Sequence, residues 1–326
     1  MSCSKKSSTT IRNSLISAAA ILTVAWYSAD AKSETPVLTE ATTTAATAAA
    51  ALSPKAEAVP AIWKASDADT NVYLFGTIHL LKESTKWESA AFSKVFDEAS
   101  AIYLEADVSP EAQSKLAPIV QKYAFLENGE TLSGVLGDQS DVVQKGAQKL
   151  GLPFERMQGM KPWFVAVQFA GKQMIDAGYT PGAGVDAVIA AKAKAAQKPM
   201  RFFESVDEQL TILSSFPMDG QVRVLARASK EIQDKGVSQL DELVDVWKVG
   251  DVDGLNAVGL KDMVLSTPEA YNKIIVNRNA NWTEQIKDLM DKEAGTFLVA
   301  VGALHLAGDD SVVKMLEASG VSVARQ

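Results

Sequence analysis

A chain of 326 residues with a net charge of −8, 47% hydrophobic and 22% charged side chains has the composition of an ordinary soluble globular protein. Its acidity argues against a nucleic-acid surface. The single cysteine, Cys3, stands at the extreme N-terminus, so the rest of the chain has no disulfide, no thiol nucleophile and no thiolate metal ligand.

Lys5, Lys6 and Arg12 precede a short apolar run, Leu15–Tyr27, and an A-x-A site at Ala29-Asp30-Ala31. That order is the pattern of a secretory signal peptide over residues 1–31, which predicts a periplasmic or secreted product. The alternative is an uncleaved anchor, which would then be the chain's only membrane contact. Cleavage would remove Cys3 and, with three basic and one acidic side chain lost, take the net charge to −10. Residues 32–60, rich in Ala, Thr and Pro, lack large apolar side chains at any helical or strand period and read as a flexible spacer. The folded domain is expected over 61–326.

The first strand of that domain is predicted at Asn71–Phe75, in NVYLFGTIHL. A loop over Leu80–Glu88 leads to an amphipathic helix near Ala91–Ala99, then a buried strand, Ala101–Ala106, ends in Glu105-Ala106-Asp107. Strand, helix and strand at this spacing make a βαβ unit with parallel pairing. Ser109-Pro110-Glu111 has the cap and first-turn proline of a helix start. Helices are expected over Asp138–Leu150, Pro162–Ala177 and Val185–Gln197, with a turn at Tyr179–Gly184. A short strand, Lys198–Glu204, runs into a helix capped by Ser205 with Glu208 at the capping-box position. Further helices cover Met218–Lys235, Gln239–Val249, Gly254–Gly259 and Pro268–Glu293. The end returns to βαβ with Phe297–Val301, a helix near Asp310–Ala318, and Val321–Ala324. The fold class is therefore α/β: a mostly parallel sheet from βαβ units at both ends of the domain, with a large helical section between them.

The chain has only two histidines, His79 and His305, and they occupy matched settings. Each follows a strand, lies three residues after a glycine (Gly76, Gly302) and directly precedes a leucine. The glycines suit a tight turn or the close approach of another backbone. In an open parallel sheet, ligands sit beyond the carboxyl ends of the strands. His79, Glu105, Glu204 and His305 all fall there, so four side chains from four strands can converge. Imidazole and carboxylate suit zinc, manganese, iron or cobalt, and two His with one carboxylate leave open positions for catalysis. A single His after a buried strand is more often a satisfied core group; the matched pair favours a site. Glu105 on a buried strand needs a partner, which makes it a ligand, a base or half of an ion pair. Glu204 is either a site group or a charge at a helix start, and Asp186, after Gly184-Val185, is open in the same way. Arg278 either clamps an anionic group or forms a surface salt bridge. G-x-S-x-G, P-loop and G-x-G-x-x-G patterns are absent.

YLFGTIHL, IYLEAD, KPW, GVD, FFESVDEQL, WKVGD, RNANW and VAVGALHLAG together resemble the TraB/GumN (TraB/PrgY/GumN) family, which includes the animal Tiki proteins. The likeness spans nearly all of 61–326. It implies an α/β fold like that of erythromycin esterases and haem-binding ChaN-type proteins, and a metal-dependent, protease-like hydrolase for some members. Carried onto this chain, it implies His79 and His305 as site histidines, Glu105 as the site carboxylate and Arg278 as a polar site residue. The reading is a metal-dependent hydrolase: His79, His305 and Glu105 hold manganese, cobalt, zinc or iron, Glu105, Glu204 and Arg278 serve catalysis, and a peptide or small molecule is the substrate. The alternatives are a periplasmic haem or metal carrier without turnover, and a metal-independent esterase-like hydrolase.

Overall fold

A computed structural model of the chain describes residues 58–107, 109, 112, 115–234 and 238–326. The predicted signal segment, most of the predicted spacer, and Pro110 and Glu111 of the predicted helix start lie outside the described residues. Among those described, no helix is long and apolar enough to cross a membrane.

Six strands form one sheet: β1 (Ile62–Ser66), β2 (Thr70–Thr77), β3 (Ala101–Leu104), β4 (Met200–Phe202), β5 (Gly295–Gly302) and β6 (Ser322–Arg325). Their spatial order is β4-β3-β5-β2-β1-β6. The pairs β4/β3, β3/β5 and β5/β2 are parallel, and β1 runs antiparallel to both β2 and β6. The fold is α/β with a mostly parallel sheet, but the two terminal βαβ units interleave. β3 runs parallel to β2 without pairing to it, because β5 lies between them. β6 likewise runs parallel to β5 across β2 and β1. The reason lies in β5 itself: GTFLVAVG is a continuous apolar run buried on both faces from Phe297 onward, and such a strand belongs at the centre of the sheet.

β1 was not expected. It is a five-residue strand containing Lys64 and Ser66, too short and polar to stand out. It forms a hairpin with β2 because Asp67 Oδ1 accepts the amide N–H groups of Asp69 (3.1 Å) and Thr70 (2.8 Å) and so closes the turn.

Alternation along the strands divides the core. Val72, Leu74, Phe297, Val299 and Val301 face the helices Asn277–Lys292 and Val312–Ala318, through Trp282, Ile286 and Leu316. Phe75, Ile102, Leu104, Leu298 and Ala300 face the other way, into the helical section and the ring cluster of Phe75, Trp87 and Phe92. The helices of that section follow the predicted spans closely, including Pro162–Asp176, Val185–Ala195 and Met218–Asp234. Ser205 and Glu208 form the full capping box at the start of Val206–Ser214.

Candidate functional site

Four neighbouring parallel strands, β4, β3, β5 and β2, end on the same edge of the sheet and deliver Glu204, Glu105, His305 and His79 in that order. The β3/β4 ladder continues past the strands, with Phe203 N–H bonded to Leu104 O (3.1 Å) and Glu204 N–H to Glu105 O (2.9 Å). This sets the two carboxylates side by side. The two glycines act through close approach. A Cβ on Gly76 would lie 2.9 Å from the Ala303 Cα, so the end of β2 rests directly on the turn that carries His305. A Cβ on Gly302 would lie 3.0 Å from Glu105 Oε1, 3.5 Å from His305 Cδ2 and 3.6 Å from His79 Nε2. The space that a side chain would fill is where the three groups face one another.

Arg278 enters this cluster from the helix Asn277–Lys292, two residues after a π-helical segment, Asn272–Val276, of the kind often found at functional sites. Its Nε donates to both Glu204 oxygens at 3.0 Å, and its Nη2 donates to Glu105 Oε2 at 2.6 Å. Its Nη1 donates to His305 Nε2 at 3.1 Å. The guanidinium stands 4.6 Å from the Trp282 ring centroid, and Trp282 Nε1 donates to Glu204 Oε1 at 2.9 Å. Arg278 is thus a buried, three-way anchor and not a surface ion pair. Glu204 spends both oxygens on Arg278 and Trp282, while Ser205 caps the helix that follows; its place is behind the guanidinium.

The two imidazoles are fixed the same way by different partners. His305 Nδ1 lies 2.6 Å from Asn279 Oδ1. The Asn279 amide cannot be reversed, because its Nδ2 donates to Asp310 O (2.7 Å). His305 therefore carries its proton on Nδ1 and accepts from Arg278 on Nε2. Burial and the Arg278 charge push its pKa down to about 3, which agrees with a neutral ring. His79 Nδ1 lies 2.7 Å from Asp186 Oδ2, and Thr77 Oγ1 donates to Asp186 Oδ1 at 2.6 Å. Burial works to lower the His79 pKa, but Asp186 and then Glu105 outweigh it and raise it to about 9. Glu105 is buried, which alone would raise its pKa; Arg278, the two imidazoles and the Gly302 N–H on Oε1 (2.6 Å) hold it well below the usual carboxylate range. Side-chain exposure rises from 4% at His305 and 6% at Glu105 to 17% at His79, so solvent reaches the cluster from the His79 side.

The His79 loop is locked from outside by the first turn of Val185–Ala195. Val185 N–H donates to Ile78 O at 2.9 Å, and a Cβ on Gly184 would fall 1.9 Å from His79 O. Gly184→Ala must therefore separate the helix from the loop. We expect about 1–3 kcal/mol of lost stability in urea denaturation, with disturbed His79 signals in NMR spectra. An unchanged midpoint and spectrum would contradict this packing.

The structure thus gathers His79, Glu105, Glu204, Arg278 and His305 into one cluster. It adds Thr77, Asp186, Asn279 and Trp282, to none of which the sequence assigned a definite site role. Trp282 had a usable signal: it stands four residues after Arg278 and so shares its helix face. Asn279, Thr77 and Asp186 act through contacts that no local spacing encodes.

Whether these residues suit a metal turns on their donors. Among the described residues, no three His, Cys, Asp or Glu side chains stand in a closed ligating arrangement, and Arg278 engages Glu105 Oε2 and His305 Nε2. The donor set itself fits a divalent cation. Each imidazole has Nδ1 tied to an oxygen and turns Nε2 inward, as ligating histidines do, and Glu105 is an ionised carboxylate facing both. A cation would have to replace Arg278 at His305 Nε2 and the proton on His79 Nε2.

Fold and cluster together define an α/β protein with a His–Glu–Arg centre at the carboxyl edge of its parallel strands. The model of the TraB/PrgY/gumN family matches residues 61–325, and the chain belongs to that family. It is similar to the uncharacterized protein YbaP of Escherichia coli (strain K12), with 24% identity over 275 residues covering 79% of this chain and 92% of the relative. YbaP of Shigella flexneri matches over the same length with the same identity. No solved structure matches.

Proposed function

We propose that the protein is an exported hydrolase in which His79, His305 and Glu105 hold a divalent cation (manganese, cobalt, zinc or iron), with peptide bonds as the first substrate class. The observation that carries this reading is the paired presentation of the two imidazoles, each with Nδ1 tied and Nε2 turned towards one buried, ionised carboxylate. A cation bound there would supply a water of lowered pKa as nucleophile. The chain's own groups do the rest. Arg278, held by Glu204 and Trp282, keeps a fixed positive charge beside the centre, suited to steadying an oxyanion. His305 is kept neutral by burial and by Arg278, and its Nε2 lone pair, which now accepts from Arg278, would turn to the cation. The more exposed His79 side admits the substrate.

Elemental analysis of the untagged chain beside His79→Ala and His305→Ala is the test. We expect near-stoichiometric metal in the parent only, with hydrolysis of a peptide library restored by the same metal. Metal retained in both folded variants would defeat the assignment. One observation favours a second reading: Arg278 already supplies a positive charge between Glu105 and His305. In that reading a histidine paired with Glu105 activates water directly, as a general base without metal, and hydrolysis survives chelator treatment in full.

A further inference from the structure

We propose that Asp186 is a positioning residue, fixed by Thr77, that sets the His79 ring with Nε2 facing Gly302 and Glu105. Thr77 is the last residue of β2 and His79 lies two residues beyond it, and both side chains reach Asp186. The helix Val185–Ala195 docks its first turn on the segment between them, through the Val185 N–H bond to Ile78 O at 2.9 Å. Gly184 is what permits this docking, since any side chain there would meet the His79 carbonyl. Asp186 then receives the Thr77 hydroxyl on Oδ1 (2.6 Å) and His79 Nδ1–H on Oδ2 (2.7 Å).

Both oxygens of Asp186 are thus engaged by the two residues that flank Ile78. A charge serving only the helix dipole would need neither bond. Once Nδ1 is tied, the ring has one orientation, and Nε2 falls 3.6 Å from the point where a Gly302 Cβ would stand. Asn279 does the same for His305, from a different helix and with an amide in place of a carboxylate. Two unrelated segments of the chain present the two rings in one manner. What the positioned ring does rests on the hydrolase reading above; that Asp186 positions it does not.

The experiment uses the full chain with ¹⁵N-labelled histidine, in which only two imidazoles report. In the parent, the His79 Nδ1–H resonance should exchange slowly with solvent. In Asp186→Ala it should be lost to exchange while the His305 resonance stays. In Asp186→Asn, which keeps an acceptor for Nδ1–H and offers Thr77 a donor, it should persist. Cobalt(II) alone is the binding probe: we expect about 10–100-fold weaker binding in Asp186→Ala and a much smaller loss in Asp186→Asn. A protected His79 Nδ1–H in Asp186→Ala, or equal cobalt losses in both variants, overturns the positioning role. If cobalt binds none of the three proteins, the metal reading fails and the exchange data alone decide on Asp186. Should Asp186→Ala not fold, Thr77→Val replaces it; faster Nδ1–H exchange is then expected, and an unchanged rate overturns the proposal.

Discussion

Replacing Arg278 with methionine is expected to cost about 3–5 kcal/mol of stability, the cost of breaking a buried ion pair by removing one partner. The guanidinium lies between Glu105 and Glu204, whose side chains are almost fully enclosed, and it also donates to His305 Nε2. Methionine fills a similar volume but leaves two carboxylates facing each other without a cation. Arg278→Lys should fall between the parent and Arg278→Met, because an ammonium cannot meet two carboxylates and an imidazole in the fixed directions of the guanidinium fork. Adding Glu204→Gln to Arg278→Met should recover part of the loss by removing one of the stranded charges. Urea denaturation at pH 7 checks all three. A loss below about 1 kcal/mol in Arg278→Met would mean that water enters the cluster and screens it, contrary to the burial seen here.

The pH dependence of stability in the chelator-treated chain should pass through a maximum near pH 6.5, because the two histidines shift in opposite directions. His79 has a folded pKa of about 9, above its unfolded value. Its contribution is complete below pH 6.5 and is lost as the pH rises through 9, by about 3 kcal/mol. His305 has a folded pKa of about 3, below its unfolded value. The folded chain resists taking that proton, so stability falls as the pH drops below 6.5 towards 3. Glu105, with its folded pKa depressed, adds to the same acid limb: its contribution is present above the unfolded carboxylate pKa and is lost as the pH falls. Denaturation midpoints measured across pH 4–10 test this. His79→Gln should flatten the alkaline limb and leave the acid limb in place. An alkaline limb unchanged in His79→Gln would assign it to another group.

Much of this could be read from the sequence because it is local. The apolar runs NVYLF, AIYL and FLVAV have the length and composition of buried strands, and the turn residues behind them place His79, Glu105 and His305 at strand ends whatever the neighbours. Caps such as Ser205 with Glu208 act within one helical turn, and helix boundaries such as Pro162–Asp176 follow from Pro and Gly punctuation. The chain's acidity and the confinement of its one cysteine to the N-terminus are equally matters of composition.

Strand order is not local. The alternation of β2 is the same whether β3 or β5 pairs with it, and only the packing of all six strands sets the doubly buried β5 between them. The cluster depends on that insertion, since it brings Gly302 N–H against Glu105 and sets His305 between Glu105 and His79 in strand order. The sequence left Arg278 as either a clamp or a surface ion pair. Its enclosure by Glu105, Glu204, Trp282 and His305 is decided by four segments meeting. Asp186 and Asn279 were beyond local reading for the same reason. Each acts on a histidine 107 or 26 residues away, through a helix whose docking exists only in the folded chain.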